Sequence, residues 1–382
     1  MKRISIAPRA DWTQIVESQG FFYHTINGET YWDESAYYAF SEVDIEQLEK
    51  ATNELHQLCL EAVDYVVRKD LYHLFHIPQW FIPTVENSWK LREPDVYGRF
   101  DLVYSDSRFP PKMLEYNADT PTSLLESSII QNHWLRDRFP ENDQFNVLHH
   151  ALVERWRHLA KTALNPDEPV YFTCVPTDRE DIGNVDYMRS TAEQAGLQSV
   201  LITLDQTAWA PEEEQLRAGV DGPVINALFK LYPWEWLLDA TRDESVVPKN
   251  ARMFEPAWKM LLSNKAILPL LWELFPNHPN LLPAYPLPDP FLGRYVKKPL
   301  LSREGANIDI VEDCETVLDS SAGPYGLEGY IYQAFYPLPK FEDNYTVIGS
   351  WVVGGQAAGI GIREDNTLIT KNSSRYVPHL IS

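Results

Sequence analysis

Between Gly98 and Glu126 the chain reads GRFDLVYSDSRFPPKMLEYNADTPTSLLE: two short apolar runs around a Ser/Asp/Pro turn, followed at once by a helical pattern. Side chains alternate along a strand, so in KMLEYN Glu115 and Asn117 share one face and Tyr116 takes the other. If RFDLVY pairs with it across the turn, Asp101 comes beside Glu115 and Asn117, and Arg99 shares the face of Asp101. Two carboxylates and an amide oxygen form a hard, anionic patch suited to Mg²⁺ and not Zn²⁺. A cation next to such a patch points to phosphorylated substrates or intermediates. The same residues also fit an acidic turn with a surface arginine, and this stretch alone does not choose. Thr120-Pro121 has the form of a helix start, with the threonine as cap and the proline at the first helical position.

A chain of 382 residues, 44% apolar and 13% aromatic, can bury a large core and holds more than one structural unit. MKRISIAPRADW has no apolar stretch of a secretory signal, and no run reaches the ~18 apolar residues of a membrane span. Cys59, Cys174 and Cys314 are far apart and odd in number, which reads as reduced, buried thiols in a cytoplasmic protein. The 33 basic residues against 55 acidic ones give −22, which argues against nucleic acid or an anionic membrane and favours the approach of a cationic ligand such as a polyamine.

Up to about residue 40 neither a helical nor a strand period is clear. From Asp44, Ile45, Leu48, Leu55, Leu58, Ala62 and Val66 recur at helical spacing, and Asp44 with Gln47 resembles a capping box. His56 and Cys59 on this helix read as packing residues. SLLESSIIQNHWLRDRF and QFNVLHHALVERWRHLAKTAL read as two more helices; His149, His150 and His158 lack an acid or cysteine to complete a metal set and read as surface residues.

From Glu168 the texture changes to strand–helix–strand: PVYFTCVP, IGNVDYMRSTAEQAG with Gly196 as a stop, then LQSVLITLD, a unit expected to have parallel strands. Asp178, Glu180 and Asp181 lie past its first strand, where open α/β sheets bind ligands, and are candidates for a cationic group as well as for a solvated loop. Residues 241–252 are polar and read as a flexible link. EPAWKMLLSNKAILPLLWELF reads as a helix that Pro269 kinks or ends, and a Pro-rich crossover comes after it. The last ninety residues read as mostly β, with Lys297 and Lys298 leaving one strand, a short SREGAN loop around Gly305, Gln333 in another strand, and a YTVIGSWVV-GG-QAAGIGIRED hairpin that ends at Arg363 and Asp365.

These parts can hold a nucleoside triphosphate. Lys265 and Lys298 can bind phosphate oxygens, residues 302–307 can cover them with backbone N–H groups, and Gln333 can meet an adenine edge. No GxxxxGK[ST] or GxGxxG motif is present.

RFD, LEYNADTPTSLLE, EPAWK…SNKAILPLLWE, KKP…SREGAN, YQAF.PLP and GIREDNTLIT, in this order and over essentially the whole chain, resemble the glutathionylspermidine synthase family, and most closely its stand-alone bacterial members described as acid–amine ligases. The resemblance implies an α/β ATP-grasp fold with a preceding pre-ATP-grasp-like α/β domain. The expected division is an N-terminal region 1–165, a small α/β unit 166–240, and ATP-grasp lobes 241–382. It implies ATP and Mg²⁺, two ions, as cofactors, and small acid and amine substrates, with Asp101, Glu115 and Asn117 as metal ligands. Arg99 and Arg363 would steady the acyl-phosphate-like transition state. Lys265, Lys298 and Gly305 would hold ATP phosphates, and Gln333 the adenine. Thr120 and Thr122 would touch the acid; Glu180 and Asp181 would receive amino groups.

Two departures stand out. The synthase that names the family has an additional N-terminal amidase domain with a Cys–His pair, whereas residues 1–50 offer no catalytic cysteine, so no amidase activity is expected. Thr120 and Thr122 replace serine-type positions and the acidic loop reads REDIG, which puts glutathione and spermidine themselves in question. Two other classes compete with a ligase: an ATP-grasp-shaped binding protein that has lost its chemistry, and a glycoside-type hydrolase using Asp101 and Glu115 as its carboxylate pair.

Overall fold

In the computed structural model, which describes residues 1–210, 212–241, 251–312 and 316–382, the 98–126 stretch forms the strands Tyr97–Val103 and Lys112–Asn117, paired antiparallel. They enter a six-stranded antiparallel sheet through the Asn344–Val353 strand, which pairs with Tyr97–Val103 on one edge and with Gln356–Asp365 on the other. The last two strands are the expected hairpin. Its turn residues Gly354 and Gly355 have φ of 56° and 83°, a left-handed pair that side chains with a Cβ resist.

The sheet has two characters because of strand alternation. Phe100, Leu102, Ile348, Val352, Ile360 and Ile362 are buried on one face, in the same core as Leu48, Leu55, Ala62 and Val66 of the long Glu42–Lys69 helix. Phe100 and Tyr116 stack there with ring centroids 3.8 Å apart, worth about 1 kcal/mol beyond the area they bury. Arg99 and Asp101 alternate onto the opposite face. Gly349 lies beneath Arg99: a Cβ there would sit 2.9 Å from Arg99 Cδ, so glycine allows the side chain to lie flat on the sheet.

The helix start differs from the expected one. Ser41, not Asp44, is the N-cap, and Asp44 closes the capping box from three residues on, leaving Gln47 outside it. His56 and Cys59 are buried in its packed face, and His150 and His158 are exposed, as expected; His149 is half-buried and touches the Tyr187 hydroxyl. Cys59 and Cys174 are buried thiols, and burial pushes the Cys174 thiol up to about 12. Cys314 and most of the 241–252 link, residues 242–250, lie outside the described residues.

The strand–helix–strand unit is present as read. Val170–Cys174 and Ser199–Thr203 are parallel and joined by the Arg179–Gln194 helix, and Ala227–Leu231 and Arg252–Phe254 extend the same parallel sheet to four strands. A further five-stranded antiparallel sheet holds Arg294–Pro299 at its centre, between Tyr330–Ala334 and Asp309–Glu312.

Two helix expectations are corrected. Pro269 neither kinks nor ends a long helix. It sits in the first turn of the Ile267–Leu274 helix, where a missing N–H costs nothing, and the residues before it are a separate short turn, Ala257–Lys259 and Met260–Ser263. The chain also does not become helical at Pro121. Residues 121–123 are irregular, Ser123 has φ of 65°, and helix begins at Leu124. No helix among the described residues is long and apolar enough to cross a membrane.

Candidate active site

The polar face of the six-stranded sheet and the inner face of the five-stranded sheet enclose a cavity of about 180 Å³. The register places Asp101 directly opposite Glu115, and Arg99 opposite Asn117, as strand pairing across the turn required. Both carboxylates line the cavity, with Asn117 beside them.

Each charge has a counter-charge. Arg99 Nε lies 3.1 Å from Asp101 Oδ1, and Arg99 Nη1 donates to Thr122 O at 2.5 Å. Lys265 Nζ lies 3.1 Å from Glu115 Oε2 and donates to Ser302 O at 2.6 Å. Burial works to raise the Glu115 carboxyl, but Lys265 and Lys298 outweigh it and hold the group down at about 2. Burial raises the Asp101 carboxyl above the usual range, Arg99 opposes this, and the facing Glu115 charge adds to the rise. Burial lowers the Lys298 ammonium to about 8, against the pull of Glu115.

Two adjacent, partly desolvated carboxylates and an amide share the cavity wall. All three donors are hard oxygens, which fits Mg²⁺. Among the described residues no cluster of three or more His, Cys, Asp or Glu side chains forms a metal site.

From the five-stranded sheet Lys298 donates to Gln333 Oε1 at 2.7 Å and to Leu114 O at 3.0 Å, while Gln333 Nε2 donates to Met113 O at 3.2 Å. Gln333 thus lines the cavity with both ends of its amide engaged, tying the two sheets together. Lys297 alternates away to Asp309 at 3.5 Å. Gly305 has φ of 69°, and a Cβ there would lie 2.3 Å from Thr370 O, so the 302–307 loop closes onto residues 369–370 only with glycine at this place.

Arg363 reaches the cavity from the hairpin. Nε donates to Ser374 O and Nη2 to Lys371 O and Asn372 O, with the guanidinium 5.4 Å over the Tyr31 ring. Thr120 and Thr122 line the cavity. Glu180 and Asp181 stand behind that wall. Burial, then the neighbouring Glu126, push the Glu180 carboxyl up to about 8, with Arg363 and the Thr122 side chain opposing the rise. Burial and Asp178 push Asp181 up to about 7. Asp178 is no ligand candidate in this arrangement; it caps the Arg179–Gln194 helix by accepting from Glu180 N and Asp181 N.

Two groups escaped the sequence reading. Arg303, within SREGAN, donates to Thr120 Oγ1 at 2.5 Å and to Glu235 Oε1 at 2.9 Å, joining the loop to the cavity wall. Its place between Ser302 and Gly305 was the available signal. Glu126, fully buried behind Thr122, belongs to a helix that reads as ordinary core, and Tyr23 and Tyr31 come from the stretch without a clear period.

The glutathionylspermidine synthase preATP-grasp family matches residues 3–382. A Haemophilus influenzae protein named "Putative acid--amine ligase" is 40% identical, with 99% of each chain covered. The Escherichia coli bifunctional glutathionylspermidine synthetase/amidase is 31% identical over 90% of this chain, and the Crithidia fasciculata trypanothione synthetase 31% over 85%. This chain spans only 59% and 53% of the length of those two. Among solved structures, a glutathione synthetase-like effector of Globodera pallida in its apo form superposes with a TM-score of 0.57 at 12% identity, covering 97% of this chain and 95% of that one. The fold is therefore the mixed α/β, ATP-grasp kind found in glutathione synthetase-like proteins. A family match across nearly the whole length, together with these relatives, places the chain in the glutathionylspermidine synthase family.

Proposed function

We propose that this enzyme uses ATP to join a carboxylic acid to an amine through an acyl phosphate. The observation that carries the reading is the convergence of two opposed carboxylates, Asp101 and Glu115, with six cationic side chains, Arg99, Lys265, Lys298, Arg303, Arg363 and Lys371, on one cavity.

Lys265 and Lys298 hold phosphate oxygens of ATP. Asp101, Glu115 and Asn117 would hold Mg²⁺, which when bound supplies charge neutralisation for the phosphates. The acid's carboxylate oxygen attacks the γ-phosphorus, the bond to ADP breaks, and an acyl phosphate forms. The amine nitrogen then attacks the acyl carbon, the amide bond forms, and phosphate leaves with the electron pair of the broken C–O bond. Arg99 and Arg363 face the charge that develops on the transferring group, and loss of one such group typically costs about 10²–10³ in rate. Thr120 and Thr122 touch the acid, the 302–307 loop shields the phosphates, and Glu180 with Asp181 accepts the amino group. The acid is a peptide or amino acid and the amine a polyamine, in keeping with the acidic charge of the chain and the names of its relatives. A cytoplasmic location is part of this reading, in keeping with the three widely spaced cysteines of the sequence.

The test is ADP release from ATP and Mg²⁺ against a panel of peptides and amines that begins with glutathione and spermidine, with Glu115→Ala as control. ADP that needs one matched acid and amine, and is lost in the variant, supports the ligase. ATP binding without turnover by any pair would replace it with a nucleotide-binding protein.

A further inference from the structure

The polar face of the six-stranded sheet has a trough between its two arginines. Gly349 and Gly361 pair directly across neighbouring strands, so neither position fills its row with a side chain. Arg99 lies along one half of the trough, over Gly349. The Tyr376 hydroxyl takes the other half, where a Cβ on Gly361 would collide with it. Trp351 stands opposite Arg99 in the strand pairing, and Tyr376 stands opposite Arg363. Each arginine therefore has an aromatic residue as its neighbour across the sheet.

One hydroxyl joins these two rings. Ser127, 1% exposed, belongs to the π-helical turn Glu126–Ile130. Its Oγ lies 2.8 Å from Trp351 Nε1, 2.7 Å from the Tyr376 hydroxyl and 2.6 Å from Ser123 O. An indole N–H only donates and a carbonyl only accepts, so Ser127 gives its proton to Ser123 O and receives one from each ring, which saturates the hydroxyl. Behind the rings, Tyr97 stacks on Trp351 with centroids 6.0 Å apart, and Trp32 stacks on Tyr376 at 5.7 Å. The Arg99 guanidinium lies 5.7 Å over the Trp351 ring. Ser127, Trp351 and Tyr376 are not part of the cavity lining.

We propose that Ser127 is a positioning residue of the phosphoryl-transfer step. Its hydroxyl fixes Trp351 beneath Arg99 and ties that ring to Tyr376, the sheet partner of Arg363, so that the two arginines keep a set spacing at the transferring group. The inference rests on the ligase reading above. Alanine at this place leaves two buried donors without their acceptor, and the rings must turn to find others. A turn of Trp351 moves the guanidinium that rests on it, and a misplacement of about 1 Å in such a group costs about 10²-fold in rate. Lys265 and Lys298 share none of these bonds: they are held by Glu115, Ser302 O, Gln333 and Leu114 O.

The experiment follows ADP release at varied ATP, with Mg²⁺ and the acid and amine of the panel above that wild-type enzyme turns over fastest, and expresses rates per ATP-binding site. Ser127→Ala lowers kcat by about 10–100-fold and leaves KM for ATP unchanged. In the Arg99→Met background the spacing no longer matters, and the same change lowers kcat by no more than about 2-fold. Tyr376→Phe deletes a single oxygen from the same hub; it shows the same pattern at smaller size, and decides the matter if Ser127→Ala does not fold. Wild-type kcat in the variant, a loss carried by KM alone, or the same fold loss with and without Arg99 overturns the positioning role and leaves the ligase standing. The last of these is what a serine that only supports the core would give. No ADP from wild-type enzyme with any pair overturns the ligase reading and this inference with it.

Discussion

Asp101 and Glu115 face each other across paired strands with a separate cation on each, Arg99 at 3.1 Å and Lys265 at 3.1 Å. On the proposed reading this wall would hold Mg²⁺ at the cost of loosening both pairs. Mg²⁺ at about 100 times its Kd is expected to add about 2.7 kcal/mol to stability, removed by chelator. The increment should disappear in Glu115→Gln, as read from thermal midpoints with and without Mg²⁺. An equal increment in the variant would move the metal elsewhere.

Arg99 touches Asp101, Thr122 and, 5.7 Å away, the Trp351 ring. Arg99→Met keeps most of the packing over Gly349 and removes the charge. The expected result is a thermal midpoint near wild type with ADP release down by about 10²–10³. Wild-type turnover in that variant would sink the role given to Arg99.

Lys230 and Asp119 are an ion pair at 2.7 Å with both side chains fully buried, and Asp119 also accepts from Trp234 N. Lys230→Met leaves a buried carboxylate without its partner and should cost about 3–5 kcal/mol in urea unfolding. Lys230→Met with Asp119→Asn should recover part of that. A cost below about 1 kcal/mol for the single variant would show that the pair does little to hold the 118–122 segment against the parallel sheet.

His379 is fully buried; its Nδ1 meets Gln131 Oε1 at 2.9 Å, while Nε2 has no partner among the described residues. Burial lowers its pKa to about 3, so the folded protein holds it neutral. A group lowered on folding contributes stability above its unfolded value of about 6.5 and loses it as pH falls towards 3. Urea midpoints of wild type and His379→Gln, compared at pH 8, 6 and 5, should converge as pH drops. A constant gap would mean that the ring is protonated inside the fold.

The sequence spoke most clearly where one local rule decides. Alternation in KMLEYN was enough to put Glu115 and Asn117 on one face, and Gly354-Gly355 enough to place the hairpin. It was weaker where tertiary contacts choose. Thr120 looks like a cap, but Arg303, far along the chain, takes its hydroxyl and helix waits until Leu124. Pro269 looks like a helix end because EPAWK reads as continuous with ILPLLWEL, whereas the chain turns between the two. Tyr23, Tyr31 and Glu126 were hidden for another reason: a buried hydroxyl–carboxylate cluster has no period, and its members come from separate elements.

The Tyr97–Val103 strand, with Arg99 and Asp101, is made early in synthesis, but its neighbour is Asn344–Val353, and Lys2–Ser5 is joined through Ala36–Phe40 to His379–Ile381. While the ribosome is still short of residue 344, the early strand lacks one of its two neighbours and Arg363 does not exist. A chain stopped before residue 344 therefore lacks both the central strand of the six-stranded sheet and the arginine that the hairpin brings to the cavity.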